Sequence, residues 1–211
     1  MNFFRDIPKA LIEGVAYAQH RKDLECFKDP DCAAAVWDRQ LQPSFQAWLD
    51  GLSPDQLPKG RIVLPRNAVA GAVEQLCAIA GTPECEDREY LVNDVTALSE
   101  MFADLMNASY LRLRLDVITT NACRKFHLDA VKARLVCTYL GTGTQYGTSG
   151  EGTDPTTIDT TPTGAPILLR GSLWPTSPKA HLKHRSPPIE GTGETRLVLV
   201  LDPLTQPDGE D

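Results

Sequence analysis

The sequence predicts an α+β chain: a mainly helical N-terminal region over residues 1–110, a β-rich region over 111–202 and an acidic tail over 203–211. Three observations carry this expectation. Apolar residues recur at the helical period in the first half and alternate with a period of two in the second. After residue 111 each apolar run is short and bounded by Gly or Pro, the texture of an antiparallel sandwich or barrel. With 211 residues, 42% of them hydrophobic and 23% charged, the chain is long enough to bury a core as one compact domain.

In the first half, Ala10, Leu11, Gly14, Val15 and Ala18 form one helical stripe, and Ala33, Ala34, Val36, Trp37 and Leu41 a second. Phe45, Trp48, Leu49 and Leu52 continue it until Ser53-Pro54 and Pro58 break it. Asn67 is a candidate cap for a helix carrying Val69, Val73, Leu76 and Ile79, which Gly81-Thr82-Pro83 ends. A further helix covers 86–108 and buries Leu91, Val95, Leu98, Phe102, Leu105 and Met106.

From residue 111, Leu111, Leu113, Leu115 and Val117 alternate with Arg112, Arg114 and Asp116, a half-buried strand. Further strands are expected at 134–140, 165–170 and 195–201. Between the second and third lies 141–164, where 15 of 24 residues are Gly or Thr. It reads either as a flexible surface loop or as a lid over a site.

Lys and Arg number 21 against 28 Asp and Glu, a net charge of −7, which weighs against sequence-independent nucleic-acid binding. No apolar run is long enough to span a bilayer, so no membrane partner is expected. The opening MNFFRDIPKALIEG carries Asp6 and lacks the apolar core of a signal peptide, so a cytoplasmic protein is expected. None of the six cysteines forms a C-x-x-C pair, which argues against a zinc ribbon and for ordinary buried thiols. Neither a G-x-S-x-G elbow nor a phosphate-binding P-loop occurs.

Histidine is scarce, and three of the four lie in the β half. His127 and Asp129 form an H-x-D pair, whose spacing in extended chain points both side chains to one face. His184, 57 residues on, offers a third donor. Two histidines and one carboxylate on one face leave adjacent positions open on a bound ion, the arrangement of non-haem Fe(II) oxygenases. His181 competes with His184, and a spacing of three in a strand sends the two to opposite faces. Arg196 stands in a strand otherwise made of Leu and Val and requires an anionic partner. That partner is either a bound carboxylate or a structural acid such as Asp202 or Glu194.

The order of H-x-D, a histidine some fifty to seventy residues later and an arginine ten to fourteen beyond that resembles the Fe(II)/2-oxoglutarate-dependent oxygenases. The blocks CRKFHLDAVKARLVCTYLGTGTQY (Cys123–Tyr146) and HRSPPIEGTGETRLVLVLD (His184–Asp202) more closely resemble the bacterial domain of unknown function 1826. The oxygenase resemblance implies a double-stranded β-helix, or jelly roll, with helices packed outside it. It implies His127, Asp129 and His184 as ligands of Fe(II), and Arg196 as the partner of the distal carboxylate of 2-oxoglutarate. Tyr139 or Thr138 would add a hydroxyl to that carboxylate, and Arg134 and Arg124 would be candidates for contact with a small-molecule substrate. The implied chemistry couples oxidative decarboxylation of 2-oxoglutarate to hydroxylation of a substrate C–H bond. The same donor set also accepts zinc, so the alternative is a non-catalytic jelly roll that binds zinc or another divalent ion in metal homeostasis. A barrel that has lost its site and serves only as an interaction module is the third reading.

Overall fold

The alternation of leucine and charge from residue 110 onward becomes a nine-residue strand that buries Leu111, Leu113 and Leu115 on one face and carries Arg112, Arg114 and Asp116 on the other. The computed structural model describes residues 14–149, 153–175 and 181–207. In chain order its strands and helices are β1 (Val15–Ala18), β2 (Ala34–Trp37), α1 (Pro43–Asp50), β3 (Gly60–Pro65), α2 (Val69–Ala80), α3 (Glu86–Met106), β4 (Tyr110–Ile118), β5 (Ala133–Leu140), β6 (Gln145–Thr148), β7 (Asp159–Thr160), β8 (Ile167–Arg170), β9 (Leu182–Arg185) and β10 (Arg196–Leu204). Short 3-10 turns cover Arg21–Lys28, Pro54–Gln56 and Arg66–Ala68.

Seven strands form one sheet in the order β1-β2-β8-β5-β10-β4-β3, and three form a second in the order β7-β6-β9. Every pairing is antiparallel except β1 with β2. The central strand β10 is buried at all nine positions. Its odd-numbered Leu197, Leu199 and Leu201 pack with Leu111, Leu113, Leu135 and the helix residues Leu91, Val95, Leu98 and Phe102. Its even-numbered Val198 and Val200 pack with Val136, Ile167 and Leu169, and with Tyr146 and Leu182 of the second sheet. The larger sheet therefore has one face covered by helices and a second face covered in part by the smaller sheet.

The two long helices follow their local signals. α3 opens with Glu86, Asp87 and Glu89, whose charges favour a helix N-terminus, and ends at Asn107 in the left-handed conformation. α2 ends at Gly81, also left-handed, with φ 67°. Among the described residues no helix is long and apolar enough to cross a membrane.

The helical N-terminal half is not confirmed. Val15–Ala18 and Ala34–Trp37 are strands of the large sheet, and Gly60–Pro65 is its far edge. The runs VAYA and AAVW are four residues long, and an apolar run that short has no period of its own. Pairing of Ala34–Val36 with Ile167–Leu169 decides their conformation. Ala10 and Leu11 lie outside the described residues. The Gly/Thr-rich segment 141–164 contributes β6 and β7 to the small sheet and buries Tyr146 in its core.

A buried ion pair clamps the helices to the sheet. Arg39 Nη1 and Nη2 donate to the two oxygens of Asp94 on α3 at 2.6 and 2.7 Å, and the Tyr139 hydroxyl of β5 donates to the same carboxylate at 2.6 Å. Arg39 Nε also donates to the Gly164 carbonyl at 2.8 Å. Asp94→Ala leaves a buried guanidinium unpaired and is expected to lower the unfolding free energy by about 3 kcal/mol or more in urea titrations. Tyr139→Phe removes one hydrogen bond to a charged acceptor and is expected to cost about 1.5–3 kcal/mol. A smaller loss for Asp94→Ala than for Tyr139→Phe would contradict the clamp.

Thiol labelling gives an independent check on burial. Cys85 and Cys123 are exposed, whereas burial pushes the thiols of Cys32 and Cys137 up to about 12. A disulfide reagent at neutral pH is expected to modify Cys85 and Cys123 in the native protein, and Cys32 and Cys137 only on unfolding.

Candidate metal centre

His127 and His184 meet through an isolated antiparallel bridge. The His127 N–H donates to the His184 carbonyl at 3.0 Å and the His184 N–H to the His127 carbonyl at 3.1 Å. Directly opposed residues of an antiparallel pair project to the same side, and the two rings lie with centroids 4.5 Å apart. Asp129, two residues after His127, completes the group. The donor atoms of His127, Asp129 and His184 lie within 4.8 Å of one another.

Backbone contacts hold these segments. Asn121 Oδ1 accepts from the N–H groups of Ile189 and Glu190, and the Ser186 N–H donates to the Cys123 carbonyl, so the stretches flanking the two histidines run side by side. The Ser172 N–H donates to the Asp129 carbonyl and the Gly171 N–H to the Lys132 carbonyl. A Cβ at Gly171 would collide with the Val131 carbonyl, so glycine allows this close passage.

The side chains are oriented for ligation. His127 Nδ1–H donates to the Lys125 carbonyl at 2.9 Å, which leaves Nε2 with its lone pair 3.5 Å from Asp129 Oδ1. His184, 6% exposed, places Nε2 3.1 Å from Asp129 Oδ2. Burial pushes His184 down, which favours the neutral imidazole that ligates metals. His127 is raised by Asp129 beside it. Burial pushes the Asp129 carboxyl up, but the facing imidazoles of His127 and His184 and the Arg134 guanidinium outweigh it and hold it well below the usual carboxylate range. Asp129 Oδ2 is buried and makes no aligned hydrogen bond. A buried anionic acceptor facing imidazole nitrogens fits a divalent cation.

Arg134 is the link between this cluster and the sheet. Its Nη1 lies 2.5 Å from Asp129 Oδ1, while Nε and Nη2 donate to Asp202 at 2.7 and 2.9 Å. It holds the Asp129 carboxylate and is itself anchored by Asp202, so all three nitrogens of this expected substrate contact are engaged within the protein. Arg124 is exposed on the stretch before His127. His181 is exposed, and the buried histidine of the pair is His184.

Arg196 is 1% exposed and has no carboxylate partner among the described residues. Its Nε donates to the Thr142 carbonyl at 2.6 Å, Nη2 to Thr138 Oγ1 at 3.3 Å, and Nη1 to nothing among the described residues. Both structural acids are engaged elsewhere: Asp202 with Arg134, and Glu194 with the N–H and hydroxyl of Thr142. Burial pushes the guanidinium down to about 10, against the nearby charge of Glu194, so it remains cationic at neutral pH. Thr138 shares the face of Arg196. Tyr139, expected as an alternative hydroxyl donor, lies on the opposite face and donates to Asp94, because adjacent strand residues point to opposite sides.

The family model described as "Protein of unknown function (DUF1826)" matches residues 18–202, and the chain belongs to that family. Among solved structures, the chain is similar to dioxygenase for auxin oxidation 1 from Arabidopsis thaliana in its binary complex with 2-oxoglutarate, with TM-score 0.57, 11% identity and 95% of each chain covered. It is also similar to the dioxygenase for auxin oxidation in rice, with TM-score 0.52, 15% identity, and 89% of this chain and 79% of that one covered. At these identities the likeness is one of fold. No curated protein matches the chain.

A divalent ion held by the three donors would stabilise the folded chain by mass action. Saturating Mn(II) at about a hundred times its Kd is expected to add about 2.7 kcal/mol, read as a rise in Tm. His184→Ala and Asp129→Ala are expected to abolish that rise, and an undiminished rise in both variants would place the ion elsewhere.

Proposed function

We propose that this member of the DUF1826 family is a non-haem Fe(II)/2-oxoglutarate-dependent oxygenase that hydroxylates a small molecule. The observation that carries the reading is the pairing of two features on one face. One is the His127, Asp129 and His184 cluster; the other is the buried, cationic Arg196, whose Nη1 is unsatisfied and which meets no carboxylate among the described residues. A buried guanidinium without an anion is expensive to keep, and a carboxylate-bearing cosubstrate supplies what it lacks. The fold shared with two dioxygenases supports the same reading.

Iron and 2-oxoglutarate bound here would supply O₂-dependent hydroxylation coupled to formation of succinate and CO₂. The remaining tasks fall to the chain. His127, Asp129 and His184 hold the ion from one side and leave its other side open. Arg196, steadied by the Thr142 carbonyl and beside the Thr138 hydroxyl, receives the distal carboxylate. Arg134 holds Asp129 Oδ1 so that its rotamer is set before an ion arrives. Val136, Val198, Val200 and Leu182 pack into an apolar layer between the two sheets, and low polarity beside a charge strengthens its interactions.

The test is an anaerobic titration of the full chain with Fe(II) and 2-oxoglutarate, followed by exposure to O₂. A weak visible charge-transfer band is expected in the wild-type protein, and succinate is expected to form with O₂. Arg196→Gln is expected to weaken 2-oxoglutarate binding by about 2 kcal/mol or more, roughly thirty-fold, while metal binding persists. Tight zinc binding without a band or succinate would defeat the proposal and leave a metal-binding protein.

A further inference from the structure

We propose that the face of β3 and β4 beside the metal cluster, carried by Arg61, Arg112 and Arg114, binds the anionic group of a small substrate, a carboxylate or a phosphonate. The assignment of that ligand as substrate rests on the oxygenase reading; anion binding itself does not. Strand register places the residues. Arg112 stands opposite Asp202, Arg114 opposite Val200, and Arg61 opposite Arg114. Directly opposed residues share a face, so all three arginines lie on the side of the sheet that carries Asp202, Val200 and Arg196.

This face is continuous with the metal cluster. Arg112 Nη1 lies 3.8 Å from Asp202 Oδ2, Asp202 accepts from Arg134 Nε at 2.7 Å, and Arg134 Nη1 lies 2.5 Å from Asp129 Oδ1. It is also open. The side chains of Arg112 and Arg114 are 27% and 34% exposed, Arg61 is exposed, and Val63, opposite Arg112, is 38% exposed.

The charges do not balance. Among the described residues, four guanidiniums here (Arg61, Arg112, Arg114 and Arg134) meet three carboxylates, Asp116, Asp129 and Asp202, and Asp129 and Asp202 are both taken up by Arg134. Asp202 is committed to Arg134 by two hydrogen bonds, and its approach to Arg112 is long. Asp116 lies 2.9 Å from Arg114 Nε, yet that buried nitrogen has no aligned hydrogen bond. Arg61 makes no ion pair among the described residues and faces Arg114 directly. Like charges directly opposed in a sheet destabilise it, and an anion between them converts that repulsion into attraction. Local positive excess in a chain of net charge −7 concentrates attraction for anions at the mouth of the cluster.

The experiment uses the full chain loaded with Mn(II) and 2-oxoglutarate, and phenylacetate, phenylphosphonate and neutral phenylacetamide as probes. Calorimetric titration and Tm are read for wild type, the double variant Arg112→Gln/Arg114→Gln and the charge-retaining Arg112→Lys/Arg114→Lys. At least one anionic probe is expected to bind and raise Tm where phenylacetamide does not, and the stronger of the two decides between carboxylate and phosphonate. The Gln variant is expected to lose about ten-fold in that affinity, the Lys variant less, and both to keep the Tm rise given by Mn(II) and 2-oxoglutarate. Equal binding of phenylacetamide, no binding of either anion, or unchanged affinity in the Gln variant would overturn the proposal. Loss of the Mn(II) and 2-oxoglutarate response in wild type, with the Arg-dependent anion binding intact, would instead defeat the oxygenase reading and leave the anion site standing.

Discussion

Strand β10 lies at the centre of the larger sheet, is buried at each of its nine positions, and still carries a guanidinium at Arg196 and a carboxylate at Asp202. A buried ion left alone costs several kcal/mol, so each charge dictates what surrounds it. Asp202 is met by a bidentate Arg134, and the third nitrogen of that guanidinium reaches Asp129. Arg196 is given only a carbonyl and a hydroxyl. Burial lowers its proton affinity, but only to about 10, so the charge is kept rather than shed. One strand thus sets both ends of the site: a satisfied relay behind the candidate metal-ligating carboxylate, and an unsatisfied cation six residues away.

The metal cluster depends on that relay as much as on its own three side chains. Asp129 divides its oxygens: Oδ1 is held by Arg134, while Oδ2 faces His184 without an aligned hydrogen bond. The split sets the carboxylate rotamer and leaves one oxygen for an ion. His127 is fixed in the same manner by the Lys125 carbonyl, which occupies Nδ1 and turns Nε2 inward. The clamp of Arg39, Asp94 and Tyr139 on the opposite face of β5 then ties this strand to α3. The face of the site is thereby backed by packed helix and not by solvent.

Much of this was legible in the residues, and the exceptions have physical causes. α2, α3, β4, β5 and β10 are long enough for periodicity to speak, and Arg196 stood out as a lone charge in LVLVL. β1, β2 and β3 were missed because runs such as AAVW are decided by their partners in the sheet. The spacing of His127 and Asp129 was readable locally, whereas the position of His184 depends on a bridge between residues 57 apart. The resemblance alone does not choose between Tyr139 and Thr138, and β5 proves buried on both faces. In such a strand no polar face marks which residues look inward. Asp202 was recognised as a possible ion-pair partner, but its commitment to Arg134 is a matter of register across two strands.

The arrangement of positive charge on the face of the site also solves a problem that the proposed reading creates. Two anions in one poorly solvated cavity repel each other strongly unless each meets its own cation. Arg196 stands at the start of β10 and leans along it to Thr138, which lies opposite Val198, while Asp202 follows six residues on. The buried guanidinium that the proposed cosubstrate would meet is thus separate from the open arginines of β3 and β4, which stand beside Asp202 and Val200. Asp202 and Arg134 stand between Arg112 and the metal ligand Asp129, and join the two regions through paired charges. Separate cationic groups for two anions, with the ion cluster beside the relay that joins them, let both ligands approach one centre without sharing a counter-charge.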